Sequence, residues 1–343
     1  MIEQAVGRLW VLAPVAVLAL FLSAALLVLL RPWLARYALA RPNARSSHRE
    51  PTPQGGGIAV VAATLAVAWG AVVVASSMPQ DDGGQLLALT AATALLAVVG
   101  AVDDVRSLSA ATRLAMQCIA VGAVIATLPE DLRILPQAPW WMERVGLLLA
   151  VVWLVNLVNF MDGVDWMTVA EVVPVSGTLV LLGLAGALAP LPSLVAAALL
   201  GAALGFAPFN KPVAKIFLGD VGSLPIGLLL GWLLLQLAGE GHLAAALILP
   251  LYYLFDATIT LAARIARGER FWQAHRSHFY QRATDNGFSV PAIVAHVGVV
   301  NLALAVLALV SVAARSTVVS LATLAASVAI VAWLLLTFAR PRR

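Results

Sequence analysis

A succession of apolar runs, each long enough to cross a lipid bilayer, limits what this chain can become. A helix of about 20 apolar residues spans the hydrocarbon core. About eleven such runs lie near residues 9–30, 57–77, 86–102, 112–128, 145–161, 167–188, 192–208, 222–238, 242–263, 290–312 and 317–339. Of 343 residues, 62% are hydrophobic and 11% charged, against about 25% charged in a soluble domain. Too little polar surface remains to clothe a water-soluble globule, so apolar side chains must face lipid. The expected fold is an all-α polytopic membrane protein of about eleven transmembrane helices, one domain over residues 1–343. The first run is longer than the core of a cleavable signal and is followed by Arg31, Arg36 and Arg41, so it reads as a retained span. Cys118 is the sole cysteine, which excludes an internal disulfide and a cysteine metal cluster.

Threading the chain back and forth through a bilayer puts every Lys and Arg except Arg8, Arg133, Arg144 and Arg315 on one face. Short cytoplasmic loops collect basic residues, so the number of spans is expected to be odd, with the N-terminus outside and the C-terminus cytoplasmic. The formal net charge of +4 reflects this asymmetry, and no nucleic-acid partner is expected. Loops on the other face hold turn residues, with Trp140 and Trp141 placed as an interfacial belt.

Five polar blocks fall on the basic face. In loop 41–57, Arg41, Arg45, His48 and Arg49 precede Gly55, Gly56 and Gly57. The arginines alone satisfy the positive-inside rule. A glycine triplet opening a span weakens the helix, and calls for close approach to an anionic ligand or to another helix. No strand precedes it and no Gly-Lys-Ser/Thr follows, so it is not a Walker loop. The second block ends a run with Asp103 and Asp104, two adjacent carboxylates that repel unless a cation joins them. A solvated helix end is the plainer alternative, which the helix dipole opposes. Arg113 and Gln117 follow at helical spacing.

In the third block Asn156, Asn159 and Asp162 recur every three residues, with Asp165 beyond, and are expected to share one helical face. Oxygen ligands of this kind suit Mg²⁺ or Mn²⁺, and a structural hydrogen-bond network is the alternative. The fourth runs from Asn210 through Lys211 and Lys215 to Asp220, between Gly219 and Gly222. It reads as a metal or phosphate site at a helix N-terminus, or as an N-cap. The fifth is the loop 264–289, expected to be a cytoplasmic substrate-recognition segment, with Arg267, Arg270, His275, Arg276, His278, Tyr280 and Arg282. Cationic and hydrogen-bonding groups around an aromatic suit a diphosphate or nucleotide, whereas a zinc site lacks its third and fourth ligands. Asp256, about two turns inside the preceding span, reads equally as an intrabundle ion pair.

Taken in order, these blocks resemble the polyprenyl-phosphate N-acetylhexosamine-1-phosphate transferases, the superfamily that includes the peptidoglycan lipid-precursor translocase. The similarity covers roughly residues 41–290, through Pro-Asn-x-Arg-Ser-x-His with its glycines, Asp-Asp, Asn-x-x-Asn-x-x-Asp-Gly-x-Asp, Phe-Leu-Gly-Asp-x-Gly-Ser and a histidine-bearing last loop. The resemblance implies Asp220 and Asn159 as metal ligands. It implies Asp103 and Asp104 as groups that position or activate the carrier phosphate, with Asp162 a further site acid. Relatives carry His-x-His-His where this chain reads His275-Arg276-Ser277-His278, a departure that resembles the branch initiating O-antigen and similar glycans. Relatives usually have a second glycine where this chain continues Val164-Asp165-Trp166-Met167.

The implied activity is transfer of HexNAc-1-phosphate from a UDP-N-acetylhexosamine to undecaprenyl or another polyprenyl phosphate, releasing UMP, with Mg²⁺ (or Mn²⁺) as cofactor. Arg45, His48, Arg113, Asn156, Asp165, Lys211, Lys215, Arg270, His275, Arg276 and His278 are the expected substrate-binding residues. Membrane lipids are expected partners, and a second copy of the chain is an allowed one. The expected location is the bacterial cytoplasmic membrane, with the site on its inner face. A secondary transporter using intramembrane carboxylates is the alternative, although transporters place such groups on broken midplane helices and show repeated halves.

Overall fold

The computed structural model of the protein describes residues 2–40, 51–74, 80–270, 273 and 275–342. Arg45 and His48 lie outside the described residues. The elements run α1 (Ile2–Tyr37), β1 (Leu39–Ala40), β2 (Thr52–Pro53), α2 (Gly57–Val74), α3 (Gln80–Val105), α4 (Ala110–Ala126) and α5 (Trp140–Met161). They continue α6 (Met167–Ala185), α7 (Pro190–Asn210), α8 (Asp220–Gly239), α9 (Leu243–Ile248), α10 (Leu251–Ala266), α11 (Phe279–Asp285), α12 (Val290–Ala314) and α13 (Thr317–Phe338). This is an all-α polytopic membrane protein.

Every expected apolar run coincides with helix. Among the described residues nine of the eleven expected runs are helices long and apolar enough to cross a membrane, and the other two are the shorter apolar helix α4 and the pair α9 and α10. Helix α4 is apolar but only 17 residues long. The ninth run breaks at Leu249 and Pro250 into α9 and α10, because proline can neither donate to nor fit within an unbroken helix at that point. Serines set three of the starts: Ser109, Ser289 and Ser316 accept backbone N–H bonds from the first turns of α4, α12 and α13.

Helix α8 is the axis of the bundle. Every residue from Val221 to Ala238 is buried, as expected of a helix that is apolar all round, and it packs against α2, α3, α5 and α9. Helices α1 and α13 leave most of their surface open to lipid.

A short ribbon, unexpected in an all-α reading, ties two distant loops together at one end of the bundle. Antiparallel β1 and β2 pair Leu39 with Pro53 and Ala40 with Thr52. The chain beyond β2 then lies along the segment preceding α8. Phe217 N donates to Pro53 O at 2.8 Å, and Gly56 N and Gly57 N donate to Phe217 O and Leu218 O at 2.9 Å each.

Candidate active site at the head of α8

The glycines explain how α8 is seated. A Cβ on Gly57 would stand 2.1 Å from Gly222 Cα, and one on Gly100 would stand 2.2 Å from Asp220 O. Both obstacles are backbone, so α2 and α3 touch the first turn of α8 main chain to main chain. Of the two readings of the triplet, Gly57 serves close approach to another helix.

That contact brings the end of α3 against the start of α8. A helix N-terminus has N–H groups without intrahelical partners, and Asp104 supplies acceptors for two of them: Asp220 N at 2.9 Å and Val221 N at 3.2 Å. Its carboxylate also accepts from Gln54 Nε2. Asp103 accepts from Arg113 at 2.9 Å and from Leu108 N. The two carboxylates are thus held by N–H donors and a guanidinium rather than merely solvated.

Across the gap, α5 presents Asn159, whose Nδ2 donates to Asp220 Oδ1 at 2.7 Å and to Ser223 Oγ at 2.9 Å. Asp220 is also in side-chain contact with Asp103 and in electrostatic reach of Asp104. Asp103, Asp104, Asn159 and Asp220 therefore meet at one point although they lie far apart in sequence.

Beside them opens a cavity of about 200 Å³, lined by Gln54, Asp162, Asp165, Asn210, Phe217 and Asp220 among others. Asp162 sits just past the end of α5 and accepts from Thr168 Oγ1. Burial pushes its carboxyl up to about 7; the Thr168 bond opposes the rise, and the charges of Asp104 and Asp165 add to it.

Asp165 has a structural task as well as a place in the wall: its carboxylate accepts Ala214 N at 2.9 Å, clamping the loop that leads to α8. Trp166 takes a left-handed backbone with φ 64°, a conformation that glycine adopts without cost. Its N–H donates to Asn210 Oδ1 and its indole N–H to Ala207 O. Trp166 lies within the stretch 164–167 where the resemblance leads one to expect a second glycine.

Helix α11 closes the site from the loop 264–289. Asp256 accepts from Phe279 N at 2.9 Å and Tyr280 N at 3.2 Å, from the Tyr252 and Thr260 hydroxyls, and from His278 Nδ1 at 3.2 Å. A carboxylate only accepts here, so this bond holds the His278 proton on Nδ1 and fixes the plane of the buried ring. The His275 ring lies 4.8 Å from that of His278. Tyr280 donates to Phe160 O at 3.1 Å and so fastens α11 to the end of α5.

Several expected residues do not join the cluster. Asn156 pairs with Gln117 of α4, Nδ2 to Oε1 at 2.7 Å, and not with the Asp220 cluster that Asn159 joins. Gln117, buried in that pair, is drawn off with it. Arg276 is spent on Thr284 at 2.8 Å and Asp285 at 3.4 Å. Lys211, Lys215 and Arg270 stand exposed at the same end of the bundle. Gln54 and Asn210 were not singled out as site residues. Their signal was position alone, one ahead of the glycine triplet and one at the end of an apolar run.

The donor set around Asp220 is oxygen only, which suits a hard cation such as Mg²⁺. Among the described residues no three His, Cys, Asp or Glu side chains are arranged to hold a metal. A cation here would complete its shell with water and ligand oxygens, as Mg²⁺ ordinarily does.

The sequence matches the family model of glycosyl transferase family 4 over residues 86–238, from the start of the buried part of α3 to the end of α8. It is 26% identical over 288 residues to a probable undecaprenyl-phosphate N-acetylglucosaminyl 1-phosphate transferase of Bacillus subtilis, covering 80% of this chain and 78% of that protein. It is 31% identical over 228 residues to the decaprenyl-phosphate N-acetylglucosaminephosphotransferase of Mycobacterium tuberculosis, 56% of this chain and 52% of the relative. A phospho-N-acetylmuramoyl-pentapeptide-transferase of Streptococcus pneumoniae is 29% identical over 249 residues, 67% and 73% respectively. The matched stretch contains Asp103, Asp104, Asn159 and Asp220, so the residues that meet at the head of α8 fall within the part of the chain that is similar to glycosyl transferase family 4.

Proposed function

We propose that the protein transfers N-acetylhexosamine-1-phosphate from a UDP-N-acetylhexosamine to a polyprenyl phosphate in a bacterial cytoplasmic membrane. The site would face the cytoplasm and the product would initiate a surface glycan. The reading rests on one observation, the meeting of Asn159 with Asp220 beside Asp103 and Asp104. The names of the relatives favour UDP-N-acetylglucosamine as the first donor to test.

In the reaction an oxygen of the carrier phosphate bonds to the β-phosphorus of the nucleotide sugar. The bond from that phosphorus to the bridging oxygen breaks, and UMP leaves with the electron pair. Phosphoryl transfer asks mainly for alignment and charge neutralisation. Mg²⁺ held by Asp220 and Asn159 would supply the neutralisation of the diphosphate. The carrier phosphate, with a second pKa of about 6, needs little help to lose its proton at neutral pH. Asp103 and Asp104 accordingly position: Asp104 fixes the head of α8, and Asp103 holds Arg113 at the rim. The exposed Lys211, Lys215 and Arg270 would hold anionic oxygens, and the buried His278, hydrogen-bonded to Asp256, would support the end of the site from α11.

The experiment is incubation of membranes with labelled UDP-N-acetylglucosamine and polyprenyl phosphate. Label should pass into the organic phase with release of UMP, and Asp220→Ala should abolish the transfer. Uptake of solute into sealed vesicles without any lipid-linked sugar would replace the enzyme with a transporter.

A further inference from the structure

A second cavity, of about 380 Å³, opens where the end of α13 meets the start of α12. Phe288, Trp333, Leu336, Arg340 and Arg342 contribute to its walls, none of them part of the Asp104–Asp220 cluster. Its lining includes two guanidinium groups and no carboxylate, and among the described residues neither Arg340 nor Arg342 pairs with an acid. Trp333 and Leu336 are 58% and 57% exposed on the outer side of α13, where lipid chains run.

A basic tail following a last span ordinarily needs no explanation beyond the positive-inside rule. This tail, however, is fastened. Arg342 N donates to Asn286 O at 2.9 Å, and Asn286 Nδ2 donates to Phe338 O at 2.7 Å. The Arg342 guanidinium stands 5.1 Å from the Phe288 ring centroid. Phe288 itself packs edge-on against Phe338 and His296. The result is a cationic, aromatic-walled recess at membrane level, its apolar side continuous with the lipid-facing surface of α13.

We infer that this recess binds an anionic phospholipid of the surrounding membrane, its phosphate between Arg340 and Arg342 and an acyl chain along Trp333 and Leu336. Two cations supply the charge that a zwitterionic headgroup would leave partly unanswered, and basic pockets between membrane helices are suited to anionic headgroups. Because Asn286 directly follows α11, the bound lipid would also brace that helix, whose N-cap is His278.

The test uses the full chain purified in detergent and supplied with mixed micelles of phosphatidylglycerol or phosphatidylcholine, with retained lipid counted by native mass spectrometry. Wild type should retain one phosphatidylglycerol with a preference of roughly tenfold or more, about what two surface arginines supply. R340Q/R342Q should lose the preference, R340K/R342K should keep most of it, and Trp333→Ala should weaken both lipids. Should the double glutamine variant not fold, the exposed R340Q alone must still lower the preference. Equal retention of the two lipids overturns the inference, as does a preference that survives R340Q/R342Q. Displacement of the lipid by millimolar inorganic phosphate would make this a soluble-anion site. Stronger retention of polyprenyl phosphate than of phosphatidylglycerol would make it a carrier site; either result overturns the assignment.

Discussion

Asp256 collects donors from two helices: hydroxyls of Tyr252 and Thr260 on its own helix, and His278 with the backbone N–H groups of Phe279 and Tyr280 at the head of α11. The residue is fully buried, so removing the carboxylate strands donors that water cannot reach. Asp256→Ala is expected to cost about 2–4 kcal/mol of stability and to abolish transfer, because His278 loses the acceptor that orients it. Thermal unfolding in detergent, read beside the transfer assay, checks both. Asp162 supplies a pH signature. Burial holds its folded-state pKa at about 7, while an unfolded aspartate titrates near about 4. The folded chain keeps the proton longer, so unfolding free energy falls as pH rises from about 4 to about 7 and levels off above. Asp162→Asn removes that slope. With divalent cations chelated, wild type should lose melting temperature relative to the variant between pH 5 and 7, and parallel curves would show an ordinary carboxyl. The aspartates were legible in the sequence because paired acids at a membrane edge need partners. The partner of Asn156 was less legible, because a step of three residues falls roughly 60° short of a full turn, enough for it to reach α4 while Asn159 reaches α8.

At the scale of elements, the site depends on how closely α8 approaches its neighbours. Gly100 meets the backbone of Asp220 where a Cβ would stand 2.2 Å from a carbonyl oxygen, and that atom belongs to the residue Asn159 must reach. Gly100→Ala should therefore separate α3 from α8, at about 1–3 kcal/mol as overpacking generally costs, and should lower transfer at least tenfold by shifting Asp220. Gly298 is the control: it lies within α12 with nothing near its Cβ position. Gly298→Ala should leave transfer unchanged and raise stability by up to about 1 kcal/mol, the usual helix gain over glycine. Equal effects of the two substitutions would dissociate the site from this packing. The helices themselves were legible from apolar length alone. The ribbon of β1 and β2 was not, because strands of two residues leave no periodicity, and neither was the partner of the glycine triplet, since Gly222 lies at the far end of the matched sequence. The broken ninth run could be read only as far as Pro250, whose effect depends on whether the chain resumes as helix beyond it.

At the scale of the whole molecule, the charges divide the bundle into two ends. Asp103, Asp220, Lys215, Arg270 and the tail of α13 lie at one end; the other holds the pair Arg133–Glu143 and Arg144, which donates to Pro129 O and Leu132 O. Arg133 and Arg144 thus bond within or beside their own loop, and of the other basic residues most gather at the site end, with the exposed Arg315 at the opposite one. Under the positive-inside rule the site end is expected to face the cytoplasm. Helix α4 offers a direct test, since its 17 residues reach about 25 Å at 1.5 Å per residue and separate Ser107 from Gln137. With the single native cysteine removed as Cys118→Ala, Gln137→Cys should react with a membrane-impermeant maleimide on intact cells. Ser107→Cys should react only after the cells are opened. The reverse pattern would turn the molecule over and move the donor nucleotide's site to the wrong compartment. Reaction of both from outside would mean that α4 does not carry the chain across the bilayer, and the odd number of crossings inferred from the basic loops would fall with it.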